Sequence, residues 1–332
     1  MSGIEVTGLR KTFPGRRGPF RRTESKLALD GLSLRIPRGA VTGLLGLNGA
    51  GKTTTIKIIA TLLHPSAGTV TVDGLNVVTE AEAVRRRINL IAGGERMVYA
   101  RLTGRENLWY FGQLYAVPGA VLRRRIPELL ALVGLGDAGA TVVEKYSRGM
   151  VQRLSIARGL INDPSYLLLD EPTIGLDAPI ARDLREVVGR LAAEGRGVLL
   201  TSHYLAEVEQ LCDHVYVISD GRHLAEGSPA ELMTAAGCRR GVRVVAEGRR
   251  DGVATALARF GGEHGGFPTV TELDDGRRME VVLQHADDLT GALVSALVSA
   301  GVSVTEVDVR PPTLEDAVLR LADRTPASAL RG

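Results

Sequence analysis

The sequence predicts an α/β fold, a parallel sheet with helices on both faces, interrupted by a helical insertion and followed by a small α+β unit. Three observations carry that expectation. Short continuous apolar runs at 41–45 (VTGLL), 165–172 (SYLLLDEP), 197–203 (GVLLTSH) and 214–221 (HVYVISDG) alternate with helical stretches, and strands apolar on both faces belong to parallel sheets. Between about residues 100 and 160 only helical patterns occur, as in GRENLWYFGQLYAV, VLRRRIPELLALVGL and MVQRLSIARGLI. After GSPAEL the composition shifts, and strand, helix, strand, strand, helix, strand follow over 242–309.

A chain of 332 residues has room for one large or two smaller domains. With 44% hydrophobic and 24% charged residues it is a globular chain, not a disordered one. Net charge is only +3, yet arginines cluster at Arg16, Arg17, Arg21 and Arg22, at Arg85 to Arg87 and at Arg123 to Arg125. Such clusters suit phosphate, nucleic acid or anionic lipid, or are simply solvated loop and helix faces. Cys212 and Cys238 lack metal-ligand and paired-redox spacing, so reduced thiols are expected. No apolar core follows the basic residues of the N-terminus, so no signal peptide is expected. The run GALVSALVSAGVSV (291–304) is too short and interrupted to span a bilayer. A role at a membrane therefore needs spanning helices from another chain.

Strand 41–45 leads into Gly46-Leu47-Asn48-Gly49-Ala50-Gly51-Lys52-Thr53, which fits G-x-x-x-x-G-K-[ST]. A helix carrying Ile56, Ile58, Ile59 and Leu62 follows, and that strand-loop-helix context makes the motif specific. Glycines let backbone N–H groups converge on phosphate oxygens, Lys52 neutralises β/γ charge, and Thr53 offers a hydroxyl to Mg²⁺. In EKYSRGMVQRLSIARGL (144–160), Ser147, Arg148 and Gly149 open a helix whose Leu154, Ile156, Ala157 and Leu160 recur at helical spacing. Such a start caps backbone donors and can bind an anion, although the chain already has a phosphate cradle a hundred residues earlier.

LLLDEP (167–172) ends a buried strand in acids. Asp170 can hold a Mg²⁺ shell and Glu171 can orient or deprotonate a water; the pair could instead cap the next helix. That helix, ARDLREVVGRLAAEG, turns Leu184, Val187, Val188 and Leu191 inward and stops at Gly195. His203, at the end of LLTSH, follows the next expected strand and, in a parallel sheet, emerges on the same edge as Gly46 and Asp170; alone, a His at a strand end reads as a surface residue. The βαββαβ order of the last third matches a ferredoxin-like plan. TLEDAVLRLAD closes it, with Thr313 and Glu315 or Asp316 suited to the first turn.

The ordered series of P-loop (46–53), YSRGM (146–150), LLLDEP (167–172), GLD (175–177) and SH (202–203) resembles the nucleotide-binding subunit of an ABC transporter. The resemblance covers residues 1 to about 235, and the ending TLEDAVLRLAD is similar to the daunorubicin-exporter-type branch, in which cassette and permease are separate chains. It implies a P-loop ATPase fold with an antiparallel β part, ATP and Mg²⁺ as ligands, and a location at the cytoplasmic face of the cell membrane. Asn48, Gly49, Ala50, Gly51, Lys52, Thr53 and Thr54 then hold the nucleotide, and Thr53 and Asp170 the metal. Glu171 becomes the catalytic acid-base group, with Lys52 and His203 at the γ-phosphate. Phe13 in RKTFPG falls where the family stacks an aromatic on adenine; a core Phe at a strand end is the other reading. Ser147 and Gly149 match the signature serine and glycine, whereas Tyr146, Arg148 and Met150 replace its usual Leu, Gly and Gln. Gly175, Leu176 and Asp177 match the loop linking two active sites.

The resemblance further implies a homodimer with two sandwiched ATP molecules, each capped by the other chain's signature helix, and an integral membrane permease as partner, with no nucleic acid. Where the family commonly has a Gln before the helical insertion, INLIAGGERMVYARLTGRENL places about Gly93; Glu95 is the candidate substitute. Met97, Val98, Tyr99 and Leu102 are candidates for the permease contact or for the core of the insertion. The expected boundaries are 1–235 for the cassette, with a helical subdomain at about 95–160, 238–322 for an accessory domain and 323–332 for a flexible tail. Export of a drug, lipid or polymer is the expected task. A soluble ABC ATPase acting on a non-membrane complex and a weakly hydrolysing regulatory module are the alternatives.

Overall fold

A computed structural model of the chain describes residues 2–15, 25–92, 98–174, 176, 178–202, 204–265, 267–273, 278–285 and 287–323. Gly93, Glu95, Met97, Gly175, Asp177, His203, the arginines at 16–22 and the tail from 324 lie outside the described residues. The chain divides into two compact units, 1–229 and 230–332.

In the first unit β1 (Gly3–Phe13) pairs antiparallel with β2 (Lys26–Pro37). β3 (Val41–Leu45) is buried along its whole length and runs through the Gly-rich loop into α1 (Lys52–Ile59). Helix α1 ends earlier than its apolar spacing suggests. Ala60 caps it, Thr61 takes a left-handed φ of 61°, and Leu62, expected inward, is 61% exposed. The left-handed residue breaks the helical phase, so position 62 no longer shares the face of Ile58 and Ile59. β4 (Ala67–Val72), β5 (Leu75–Asn76), the short α2 (Ala81–Arg85) and β6 (Ile88–Ala92) follow.

The helical insertion consists of α3 (Gly104–Leu114), α4 (Gly119–Leu132) and α5 (Arg148–Gly159). Thr103 and Glu106 form a capping box that fixes the start of α3. Then come β7 (Tyr166–Asp170), α6 (Ala178–Ala193), β8 (Gly197–Thr201), α7 (Leu205–Leu211), β9 (His214–Ser219) and β10 (Arg222–Gly227).

Two sheets result. An antiparallel one has the order β2-β1-β4-β5, and a six-stranded one has β10-β9-β3-β8-β7-β6. β9, β3, β8, β7 and β6 are parallel neighbours, and only β10 joins antiparallel. Strands β3, β7 and β8 are apolar on both faces because both faces are covered, as the continuous runs implied. One core, including Ile4, Leu29, Leu32, Leu44, Ile56, Ile59, Leu168 and Leu199, is shared by the two sheets and α1.

The second unit contains α8 (Pro229–Ala235), β11 (Arg240–Glu247), α9 (Arg250–His264), β12 (Thr269–Leu273), β13 (Arg278–His285), α10 (Thr290–Ser299), β14 (Ser303–Arg310) and α11 (Leu314–Asp323). Its antiparallel sheet has the order β12-β13-β11-β14, the split βαβ arrangement expected from βαββαβ. Val242, Val244 and Ala246 alternate along β11 to pack with Met279, Val281, Phe260 and Leu297. Between them Arg243 pairs across the strands with Glu280 and Glu306. Thr313 and Asp316 exchange hydrogen bonds and cap α11.

Candidate functional site

The C-terminal ends of adjacent parallel strands collect the chemistry. Asp170 ends β7 opposite Thr201 of β8, and β8 in turn neighbours β3, whose end opens the Gly-rich loop. This crevice outside the carboxyl ends of parallel strands is where open α/β sheets bind ligands. Gly51 takes φ 108°, and a Cβ there would stand 2.5 Å from Leu29 Cδ2 and 2.8 Å from the Ala28 carbonyl oxygen. That φ and the approach of the Ala28 backbone reserve the position for glycine.

Lys52 is nearly buried, and its ammonium donates to the Gly46 carbonyl at 2.6 Å. Burial pushes the Lys52 pKa below the ordinary lysine value, and the charges of Glu171 and Asp170 pull it back up. Thr53 is exposed at the first turn of α1. Phe13, Lys26, Ala28, Asn48 to Thr54 and Glu171 line one cavity of about 430 Å³. Phe13 ends β1 half-buried, with Lys11 Nζ 5.3 Å from its ring centroid.

The turn after β7 is built unusually. Glu171 has φ 53°, a left-handed value rare outside glycine. The conformation is held by Thr201, which accepts the Glu171 N–H at its carbonyl (3.0 Å) and at Oγ1 (3.2 Å). The same hydroxyl donates to Asp170 Oδ1 at 2.7 Å. One buried threonine thus holds the Asp170 carboxylate and the main chain of Glu171.

Ser147 caps α5 by accepting the Met150 N–H at 3.3 Å. It and Arg148 are exposed, whereas Gly149 is buried. A Cβ on Gly149 would come within 2.3 Å of Ile180 Cδ1, so this glycine also lets α5 and α6 approach. Tyr146, which stands where the signature usually has Leu, is buried and donates its hydroxyl to the Ala138 carbonyl at 2.7 Å. Val98 and Leu102 are half-buried, and Tyr99 is 48% exposed, packed edge-on against Tyr110 at 5.0 Å. Among the described residues no helix is long and apolar enough to cross a membrane.

The family model for ABC transporters matches residues 29–174. The daunorubicin resistance ATP-binding protein DrrA3 of Streptomyces coeruleorubidus is 41% identical over 304 residues, 92% of this chain and 94% of that protein. The chain belongs to the ATP-binding subunits of ABC transporters. A solved ATP-binding subunit of an ABC transporter superposes with a TM-score of 0.61 at 30% identity, covering 71% of this chain and 94% of its own. A dimeric cassette solved in a post-hydrolysis state with ADP and Pi gives 0.59 at 25% identity, covering 68% and 98%. The ABC subunit is an ATPase, and its first unit has the P-loop fold of that family with a helical insertion and an antiparallel β part.

Four polar residues that tie together the elements of the candidate site carry no motif in the sequence. Besides Thr201, the buried Gln152 of α5 donates to the Pro172 carbonyl at 2.8 Å. Thr173 and Glu207, both buried, hydrogen-bond at 2.9 Å. Their one sequence signal is a polar residue at a position the helical or strand period turns inward, as with Glu207 directly before Val208.

Proposed function

We propose that this subunit binds MgATP on Phe13 and the loop from Asn48 to Thr54. It pairs with a second copy and hydrolyses ATP to drive a separate membrane permease at the cytoplasmic face of the membrane. The carrying observation is the single cavity lined by the Phe13 ring, the amides of the Gly-rich loop, Lys52 and Glu171, a volume within the range of small-molecule sites. An aromatic ring suits a base, amides and an ammonium suit phosphates, and a carboxylate suits a water.

The Thr53 hydroxyl and the Asp170 carboxylate are the hard oxygen ligands that Mg²⁺ takes alongside substrate phosphates and water. Bound there, Mg²⁺ neutralises phosphate charge. Glu171 orients a water for in-line attack on the γ-phosphate and takes its proton, while Lys52 balances the charge left on the phosphates. His203 is assigned to the γ-phosphate and Asp177 to the link between the two centres, both lying outside the described residues.

Ser147 uses a lone pair to cap α5, which keeps its O–H as a donor. With the Gly149 N–H it caps the γ-phosphate bound to the other copy and excludes water from it. The dimeric form of a related cassette favours this pairing. Tyr99 and Tyr110, both exposed and packed edge-on at 5.0 Å, form the apolar patch that receives the permease. A relative named as a Nod factor export ATP-binding protein favours export, and the cargo is a drug, lipid or polymer. Residues 1–235 act as the cassette and 238–322 as an accessory domain.

The test pairs two variants of the full chain. Glu171→Gln should bind ATP normally and turn it over at least about a hundredfold more slowly, the usual worth of a general base. Ser147→Arg, placed in that background, should bind nucleotide yet stay monomeric on size-exclusion chromatography with MgATP. Near-normal hydrolysis by the first, or an unaffected dimer from the second, refutes the corresponding half of the reading.

A further inference from the structure

The geometry points to Glu207 as a positioning residue that locks the loop bearing Glu171 to the loop after β8. It rests on the reading of Glu171 as the water-orienting group and adds the device that holds it in place. Glu207 lies in the first turn of α7 and is only 2% exposed. Its Oε2 accepts two hydroxyls, Thr173 Oγ1 at 2.9 Å and Ser202 Oγ at 2.7 Å. Both donors are themselves buried. Ser202 Oγ in turn accepts the N–H of Tyr204, the residue before α7, at 3.0 Å.

The two donors come from different strand ends. Thr173 is two residues beyond Glu171, and Ser202 is one beyond Thr201. One carboxylate oxygen therefore joins the loops following neighbouring strands. It is a second tie besides the Glu171 N–H bonds to Thr201. The Thr201 tie fixes the main chain at residue 171, and the Glu207 tie fixes where the chain goes next.

Stability gives little reason for a carboxylate here. A buried charge is costly, and well-packed apolar residues serve a core as well or better. Its Oε1 accepts no hydrogen bond from any described residue. What the carboxylate does supply is two charge-assisted hydrogen bonds with fixed direction. Direction matters at Glu171, where a displacement on the order of 1 Å of a water-orienting group costs about a hundredfold in rate.

The experiment measures ATP affinity, kcat and thermal midpoint for Glu207→Gln, Thr173→Val and the double variant, beside Glu171→Gln. Glu207→Gln keeps the shape and removes the charge. It should lower kcat about tenfold, leave ATP affinity within about twofold, and shift the midpoint by no more than about 3 °C. Thr173→Val should do the same, and the double variant should be no slower than the slower single, because both changes break one link. Independent multiplication of the two losses, or a kcat loss that only tracks lost affinity and a lower midpoint, overturns the inference. So does unchanged kcat in Glu207→Gln while Glu171→Gln is inactive. If Glu171→Gln itself turns over normally, the Glu171 assignment has failed instead.

Discussion

Replacing Gly149 by Ala puts a methyl group where Ile180 already stands. The new Cβ would lie 2.3 Å from Ile180 Cδ1 and 3.2 Å from Cγ1 and Cγ2. Carbon atoms in contact prefer about 3.5–4.0 Å, so either the end of Ile180 swings away or α5 lifts from α6. Overpacking of this kind costs about 1–3 kcal/mol. The lower half of that range applies, because Ile180 is half-buried and its terminal methyl can rotate. Helix propensity opposes it, favouring Ala over Gly by up to about 1 kcal/mol. The net loss is about 1 kcal/mol, or about 2–4 °C for a unit of this size. Ile180→Val deletes Cδ1, the offending atom, and itself costs about 0.5–1.5 kcal/mol. In the Ile180→Val background Gly149→Ala should therefore become neutral or stabilising, since the atoms at 3.2 Å need to yield only slightly. Thermal unfolding of the four proteins in the cycle measures the coupling, expected at about 1 kcal/mol or more. Equal destabilisation in both backgrounds would show that packing against Ile180 is not why position 149 excludes a side chain.

Two further outcomes follow from sites at opposite ends of the fold. Asp73 accepts from Tyr166 at 2.6 Å and from Arg38 at 2.5 Å; burial pushes its pKa up, but these bonds outweigh it and hold the carboxyl below its ordinary value. The stability it contributes is thus present above the unfolded carboxylate range and lost as pH falls through the lower folded value. Asp73→Asn should cost about 1–2 kcal/mol at pH 7, discounted for the half-exposed Arg38. Urea midpoints should converge with wild type in strong acid, and a constant gap down to that pH would contradict the linkage. Phe13→Ala should weaken ATP binding about tenfold, the lower part of what a stacked base is worth. An unchanged dissociation constant by fluorescence titration would leave Phe13 a strand-end residue only.

The parallel layer was readable because each of β3, β7, β8 and β9 is a continuous apolar run, and the phosphate loop because its residues are contiguous. The antiparallel β1 and β2 are harder to read, since their pairing shifts register between Val6 and Leu9, Leu9 and Arg10, and Lys11 and Thr12; each shift interrupts the alternation that marks a one-sided strand. Leu62 misled because spacing alone cannot announce a left-handed turn at Thr61. The ties through Thr201, Gln152 and Glu207 join residues 30, 20 and 34 positions apart. No local pattern encodes such pairs; only the register of β7 against β8 and the packing of α5 and α7 create them. Gly149 was legible as a glycine at a helix start, but its neighbour Ile180 was not.

Gln152 sits on the helix that Ser147 opens and grips the carbonyl of Pro172, next to Glu171. On the proposed dimer, each α5 belongs to two reaction centres at once. It offers its tip to the nucleotide of its neighbour and braces the acid of its own. A defect at that helix in one chain of a mixed dimer therefore injures both centres by different routes, one through failed capping and the other through a slackened acid. The two nucleotides are then unequal in fate even though the two chains share a fold.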